Sequence, residues 1–234
     1  MAQAVAVINV VGLAAGLVGA RTPRLRGLAE EGVFRRLRPP LPAVTTTAQA
    51  DMLTGVRARE HGIVGNGWYD RTDAEVKFWK QSNRLVRAEK VWETARARDP
   101  SVTCAKMFWW YNMYSSADWS VTPRPRYKAD GRKIPDCYSE PPELREELQE
   151  RLGRFPLFKF WGPGSSIESS RWIAEATKVV HDRHRPTITL VYLPHLDYPA
   201  QKYGPDTAET YAAAERIDGV VGDLVDHFHA RDTK

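Results

Sequence analysis

With 234 residues, 42% of them hydrophobic and 10% aromatic, the chain has enough apolar surface for the core of one large domain, and its composition excludes a disordered segment. Its 34 basic and 29 acidic residues leave a formal charge of +5, an excess that suits phosphate-bearing small molecules and excludes a dedicated nucleic-acid footprint. Cys104 and Cys137 show no metal-type spacing, so the sequence predicts reduced thiols and a cytoplasmic setting.

Residues 4–20, AVAVINVVGLAAGLVGA, have no Lys or Arg ahead of the apolar run and are interrupted by Asn9 and several glycines. They are too short to span a bilayer and predict a first strand and turn, with no membrane association. The run Ala4 to Val11 lacks polar alternation, which predicts a central parallel strand covered on both faces. Thr22-Pro23 opens a helix through about Glu31, with Gly32 after its end.

Val44 and the apolar residues before it predict a strand end, followed by Thr45, Thr46 and Thr47 at the start of a short helix that stops at Thr54-Gly55. A hydroxyl at such a junction meets the free N–H groups and partial positive charge of a helix N-terminus, the place where a phosphate binds. Asn66 lies twenty-one positions after Thr45, between Gly65 and Gly67, where the backbone can approach a ligand and an amide can donate to a phosphoryl oxygen. Taken singly, the threonines also read as an N-cap and Gly-Asn-Gly as a turn.

Further along, a helix is expected from about Lys90 to Arg98 and a strand over Ser101 to Phe108. Phe108, Trp109, Trp110, Tyr111, Tyr114 and Trp119 then crowd within twelve positions, either to stack a flat leaving group or to form packed core beneath a loop. Residues 122–142 are dense in Pro, Gly and charge, and about 109–165 is expected to be a loop-rich cap on a single domain spanning 1–234. Pro142 to Leu152 and Ser165 to Arg183 read as helices, Thr187 to Leu193 as a second buried strand, and Thr207 to His229 as an amphipathic helix. Pro194-His195-Leu196-Asp197 lies at that strand's carboxyl end, where open α/β sheets hold ligands.

Pro42, two residues, Thr45, then Thr54-Gly55, His61-Gly62-Ile63-Val64-Gly65-Asn66 and Trp68-Tyr69-Asp70 together resemble the nucleophile region of nucleotide pyrophosphatases/type I phosphodiesterases of the alkaline phosphatase superfamily. A second match, Asp197 with Tyr203-Gly204-Pro205, resembles that family's metal loop. The resemblance implies an α/β fold with a mostly parallel central sheet and helices on both faces. It further implies Thr45 as nucleophile, with Thr46 if the register slips by one, Asn66 as the oxyanion-stabilising amide, two zinc ions, and a phosphate-ester or nucleotide-like substrate.

Here the first strand's metal position, aspartate in the family, is Asn9, a neutral ligand or else a hydrogen-bonded amide, and the family's histidine four residues after Asp197 is Gln201. His195 is then the candidate that completes a metal set of Asn9, Thr45, Asp197 and His195, or else is a partly buried histidine. The family's later Asp-His ligands fall beyond Lys234, so an incomplete bimetallic site is expected. Three readings follow: a metal-dependent phosphodiester or pyrophosphate hydrolase, a related phosphatase or phosphonate hydrolase, and a non-catalytic phosphate-binding or scaffold relative.

Overall fold

In a computed structural model that describes residues 3–234, the chain builds a mixed α/β domain around a five-stranded sheet. Strand β1 (Val5–Val10) leads through a turn to helix α1 (Pro23–Glu31). Helix α2 (Thr45–Thr54) and the single turn α3 (Ala58–His61) precede a small hairpin, β2 (Gly67–Asp70) with β3 (Glu75–Phe78). Helix α4 (Val91–Arg98) feeds β4 (Cys104–Met107), β5 (Trp119–Pro123), the short hairpin β6 (Arg126–Tyr127) and β7 (Lys133–Ile134), then β8 (Cys137–Glu140). Helices α5 (Glu143–Leu152) and α6 (Ile167–His184), strand β9 (Ile188–Leu193), and helices α7 (Asp197–Tyr203) and α8 (Ala208–His229) complete it.

The sheet order is β1-β9-β4-β5-β8, parallel except for β8, which runs antiparallel to β5. The two-residue period of the strands sorts their side chains into two layers. Ala105, Met107, Val191 and Leu193 pack against α5, α6 and α8, while Cys104 and Leu190 meet Leu53 of α2 and Trp92 of α4. Helices therefore cover both faces, as the apolar runs predict.

Three expectations need correction. β1 is an edge strand of this sheet, with Val5 42% and Val7 41% exposed, and its outer edge is bonded by Lys234, which pairs with Ala4 and Ala6. No strand precedes the threonines, because Pro39, Pro40 and Pro42 lack the N–H groups a ladder needs. Within the stretch expected to be a cap, β5 and β8 belong to the main sheet, while the β6–β7 hairpin forms a separate two-stranded sheet.

Contacts distant in sequence set the helix ends. Thr22 precedes α1, but its hydroxyl donates to the Leu17 carbonyl at 2.7 Å. The free N–H groups of Arg24 and Leu25 instead donate to the buried carboxylate of Asp218 on α8, at 3.1 and 2.8 Å. That anion at a helix N-terminus fastens α1 to α8. Cys104 and Cys137 are free and buried, and burial pushes both thiols up to about 12. No helix among the described residues is long and apolar enough to cross a membrane.

Candidate active site

The carboxyl ends of β1, β4, β5 and β9 open into one cleft of about 1460 Å³, lined by Asn9, Thr45, Asn66, Trp110, Tyr192 and Asp197 among others. Parallel strands present their ligand-binding ends together in this way. The structure therefore brings Thr45, Asn66, Asn9 and Asp197 to one place.

Helix α2 begins at Thr45 itself, since Val44 is extended (φ −118°, ψ 157°) and, being apolar, makes no capping bond of its own. Thr45 is half-buried and faces the cleft, whereas Thr46 is fully buried. The Thr46 hydroxyl donates to the Gly65 carbonyl at 2.8 Å and lies 3.0 Å from Asn66 Oδ1. Thr46 thus bolts the helix to the glycine-rich loop and has no access to a substrate.

The amide orientations follow from backbone donors, which have only one polarity. The Thr46 N–H donates to Asn66 Oδ1 at 3.1 Å, so the opposite end of that amide, Nδ2, is a donor left for the cleft. The Trp110 N–H donates to Gln49 Oε1 at 2.8 Å, which makes Gln49 Nε2 the donor to Asn9 Oδ1 at 3.0 Å. Asn9 therefore has its carbonyl oxygen engaged and an N–H₂ group to spare. Two side-chain amides with free donors beside the N-terminus of α2 make a cradle for an anion.

Asp197 opens α7, and its Oδ2 accepts from Gln201 Nε2 at 2.7 Å. Burial raises its carboxyl pKa and the Gln201 bond opposes the rise. Gln201, at the family's histidine position, thus holds Asp197 in place. The phenol of Tyr192, the next-to-last residue of β9, is pushed up by burial and faces the Thr45 and Trp110 side chains, so it is a neutral hydroxyl there. His195 lies outside the cleft. It is 6% exposed, its N–H reaches Ser170 Oγ at 3.3 Å, its Nε2 accepts from Arg216 Nε at 3.4 Å, and burial takes its imidazole down to about 4.

The aromatic run divides. Phe108, Trp109 and Tyr111 are core, Tyr114 is exposed, and Trp119 stacks on His184 at 4.3 Å. Only Trp110 reaches the cleft, where Trp79 lies against it at 4.8 Å between ring centroids. Phe78 and Trp79 of the hairpin, with Arg38, Arg124 and Lys133, form a rim that is both aromatic and cationic. Sequence reading missed Gln49, Tyr192 and this rim, since nothing local to them signals the site. His61, quoted only as part of a motif, braces it: its Nδ1 accepts from the Ile63 N–H at 3.0 Å, so its Nε2–H donates to Asp51 on α2 at 2.7 Å.

A zinc pair does not fit these residues. Asn9 turns a donor to the cleft and Gln201 is engaged through its nitrogen, which leaves Asp197 without an imidazole or thiolate partner. Among the described residues, the one cluster of three His, Cys, Asp or Glu ligand atoms lies elsewhere, at His181, Asp182 and His227.

Comparison with known proteins gives this arrangement its context. Over 217 residues the chain is 25% identical to an uncharacterised pyrophosphatase/phosphodiesterase of Schizosaccharomyces pombe, covering 90% of this chain and 37% of that protein. Over 214 residues it is 22% identical to human ectonucleotide pyrophosphatase/phosphodiesterase family member 1, covering 89% of this chain and 19% of that one. The chain thus spans well under half the length of the curated relatives it matches. In structure it resembles phosphonoacetate hydrolase from Sinorhizobium meliloti 1021, seen in complexes with phosphonoformate and with phosphonoacetate. TM-scores are 0.65 and 0.66 at 19% identity, over 97% of this chain and 54% of that one, a likeness that shows the fold. The family, which is generally metal-dependent, matches from residue 5 to residue 234, and the chain belongs to the type I phosphodiesterase / nucleotide pyrophosphatase family.

Proposed function

We propose that the cleft binds a phosphodiester or pyrophosphate and presents Thr45 to its phosphorus, as the nucleophile of a phosphohydrolase. The observation that carries this reading is the position of Thr45 at the first turn of α2, in a cleft that also holds the free amide donors of Asn9 and Asn66. Those donors and the helix end would take the non-bridging oxygens, where charge grows as phosphorus is attacked. The bond from Thr45 Oγ1 to phosphorus would form as the bond to the leaving oxygen breaks, the hydroxyl proton passing to that oxygen. Water would then add to phosphorus as the Oγ1–phosphorus bond breaks, returning a proton to Thr45. The rim of Phe78, Trp79 and Arg124 suits a flat, anionic leaving group.

A second reading, phosphate binding without turnover, is favoured by one observation. Tyr192 faces Thr45 as a protonated phenol, a donor and not a base. One experiment separates the two. The chain is incubated with bis-nitrophenyl phosphate and added zinc or manganese, and intact-mass and peptide spectra are searched for a phosphate adduct on Thr45. An adduct with released nitrophenol, both lost in Thr45→Ala, supports the hydrolase. Calorimetric binding of inorganic phosphate with neither adduct nor nitrophenol supports the binding reading. An adduct on another residue refutes the assignment of Thr45.

A further inference from the structure

The pole of the sheet opposite the cleft carries its own cluster of ligand atoms. His181 lies near the carboxyl end of α6 and His227 near that of α8, beside the amino ends of the parallel strands. The six residues of β9 separate the two poles by roughly 20 Å at about 3.3 Å per residue. One ligand atom each from His181, Asp182 and His227 lies within 4.8 Å of the other two.

Two of these groups carry a buried ring nitrogen without a hydrogen-bond partner. His181 is 1% exposed, and its Nδ1 is buried without a hydrogen-bond partner. Nε2 of His227 is likewise buried without one, 3.5 Å from Asp182 Oδ1. The two rings lie 5.3 Å apart, edge to face. A neutral imidazole has one donor and one acceptor nitrogen, and a buried nitrogen left unpaired costs free energy that native structures usually avoid.

We propose that His181, Asp182 and His227 form a binding site for a divalent first-row transition ion such as zinc, separate from the cleft. Two imidazoles and a carboxylate are a ligand set this ion class prefers, and water supplies the remaining position. Nε2 of His181 faces Thr233 Oγ1 at 3.0 Å, so an Nε2–H donated there leaves Nδ1 bare for the ion, the outer-shell pattern of ligating histidines. The guanidinium of Arg231 engages Asp182 Oδ1, the oxygen that faces His227 Nε2, so the ion would share that carboxylate with Arg231. Bound there, the ion ties α6 to α8 and holds the Thr233–Lys234 segment beside β1.

The test titrates the metal-free chain with zinc, and with cobalt for its visible absorption bands, and records binding stoichiometry and the thermal midpoint. The wild type is compared with His227→Gln, Asp182→Asn and, as a control for the cleft, Asp197→Asn. Asp182 has a half-exposed side chain, so its replacement tests the site even where His227→Gln perturbs folding. One equivalent of metal with a raised midpoint is expected in the wild type and in Asp197→Asn. Binding weakened at least about tenfold is expected in the other two, with unchanged metal-free circular dichroism in Asp182→Asn. Equal stoichiometry and an equal midpoint shift in Asp182→Asn and the wild type would overturn the proposal, as would loss of all binding in Asp197→Asn alone.

Discussion

Lys106 sits fully buried on β4 beneath the cleft, and its ammonium donates to the carbonyls of Trp110 at 2.8 Å and Tyr111 at 2.7 Å. Burial takes its pKa from 10.5 down to about 7. Between those values the unfolded chain holds the proton and the folded chain does not, so unfolding takes up a proton and stability rises with pH. One site contributes at most about 1.4 kcal/mol per pH unit. Because Lys106 is only half deprotonated at pH 7, the rise from pH 7 to pH 9 comes to about 2 kcal/mol.

The other strongly shifted groups change the rise over that window only in part. His181 and His195, held near 4, act mostly below that window, whereas Cys104 and Cys137, raised from 9.0 to about 12, offset about 0.4 kcal/mol each by pH 9, where the unfolded thiols are half ionised. The net gain of about 1.5 kcal/mol should raise the thermal midpoint of a chain of this length by about 3–6 °C between pH 7 and pH 9. Melts at matched ionic strength measure it. Lys106→Met keeps the length of the side chain, removes the titration and should flatten the slope, whatever its stability at pH 7. A variant that keeps the full rise, or a wild type without one, would refute the reasoning.

The two neighbouring threonines should separate cleanly: Thr45→Ala loses any phosphate adduct with an unchanged melt, while Thr46→Val costs about 1–3 kcal/mol by orphaning the Gly65 carbonyl, read in urea unfolding. Asn9→Asp replaces a donor by an anion in the cleft, so inorganic phosphate measured by calorimetry in metal-free buffer should bind about tenfold more weakly; unchanged affinity would mean that the Asn9 amide does not face the ligand. Asp218→Ala removes the carboxylate that accepts from Arg24 and Leu25, and chemical denaturation should show a loss of about 2–3 kcal/mol together with earlier hydrogen exchange in α1.

Much of the fold was legible because its signals are local. The β-branched runs 4–11 and 187–193, the period of Ile217, Val220, Val221, Leu224 and Phe228, and the glycine that ends α2 depend on a few neighbouring residues. The resemblance of residues 42–70 marked the region of the cleft for a related reason, since a hydroxyl, a helix start and a glycine loop occupy one short stretch. The strand expected before Thr45 failed where three prolines outweighed the apolar residues around them.

What sequence alone determined, then, is a mostly parallel α/β sheet with Thr45, Asn66, Asn9 and Asp197 near its carboxyl end. Tertiary structure decided which atoms of those residues face the cleft. Asn9 presents its N–H₂ group because Gln49 holds its carbonyl, and Gln49 is turned that way by a backbone N–H sixty-one residues further on. Thr46 is withdrawn by a loop twenty residues away, and His195 points to Arg216 on α8. Hydrogen-bond polarity passes through contacts between distant segments, and periodicity and spacing, which act along the chain, carry no record of it.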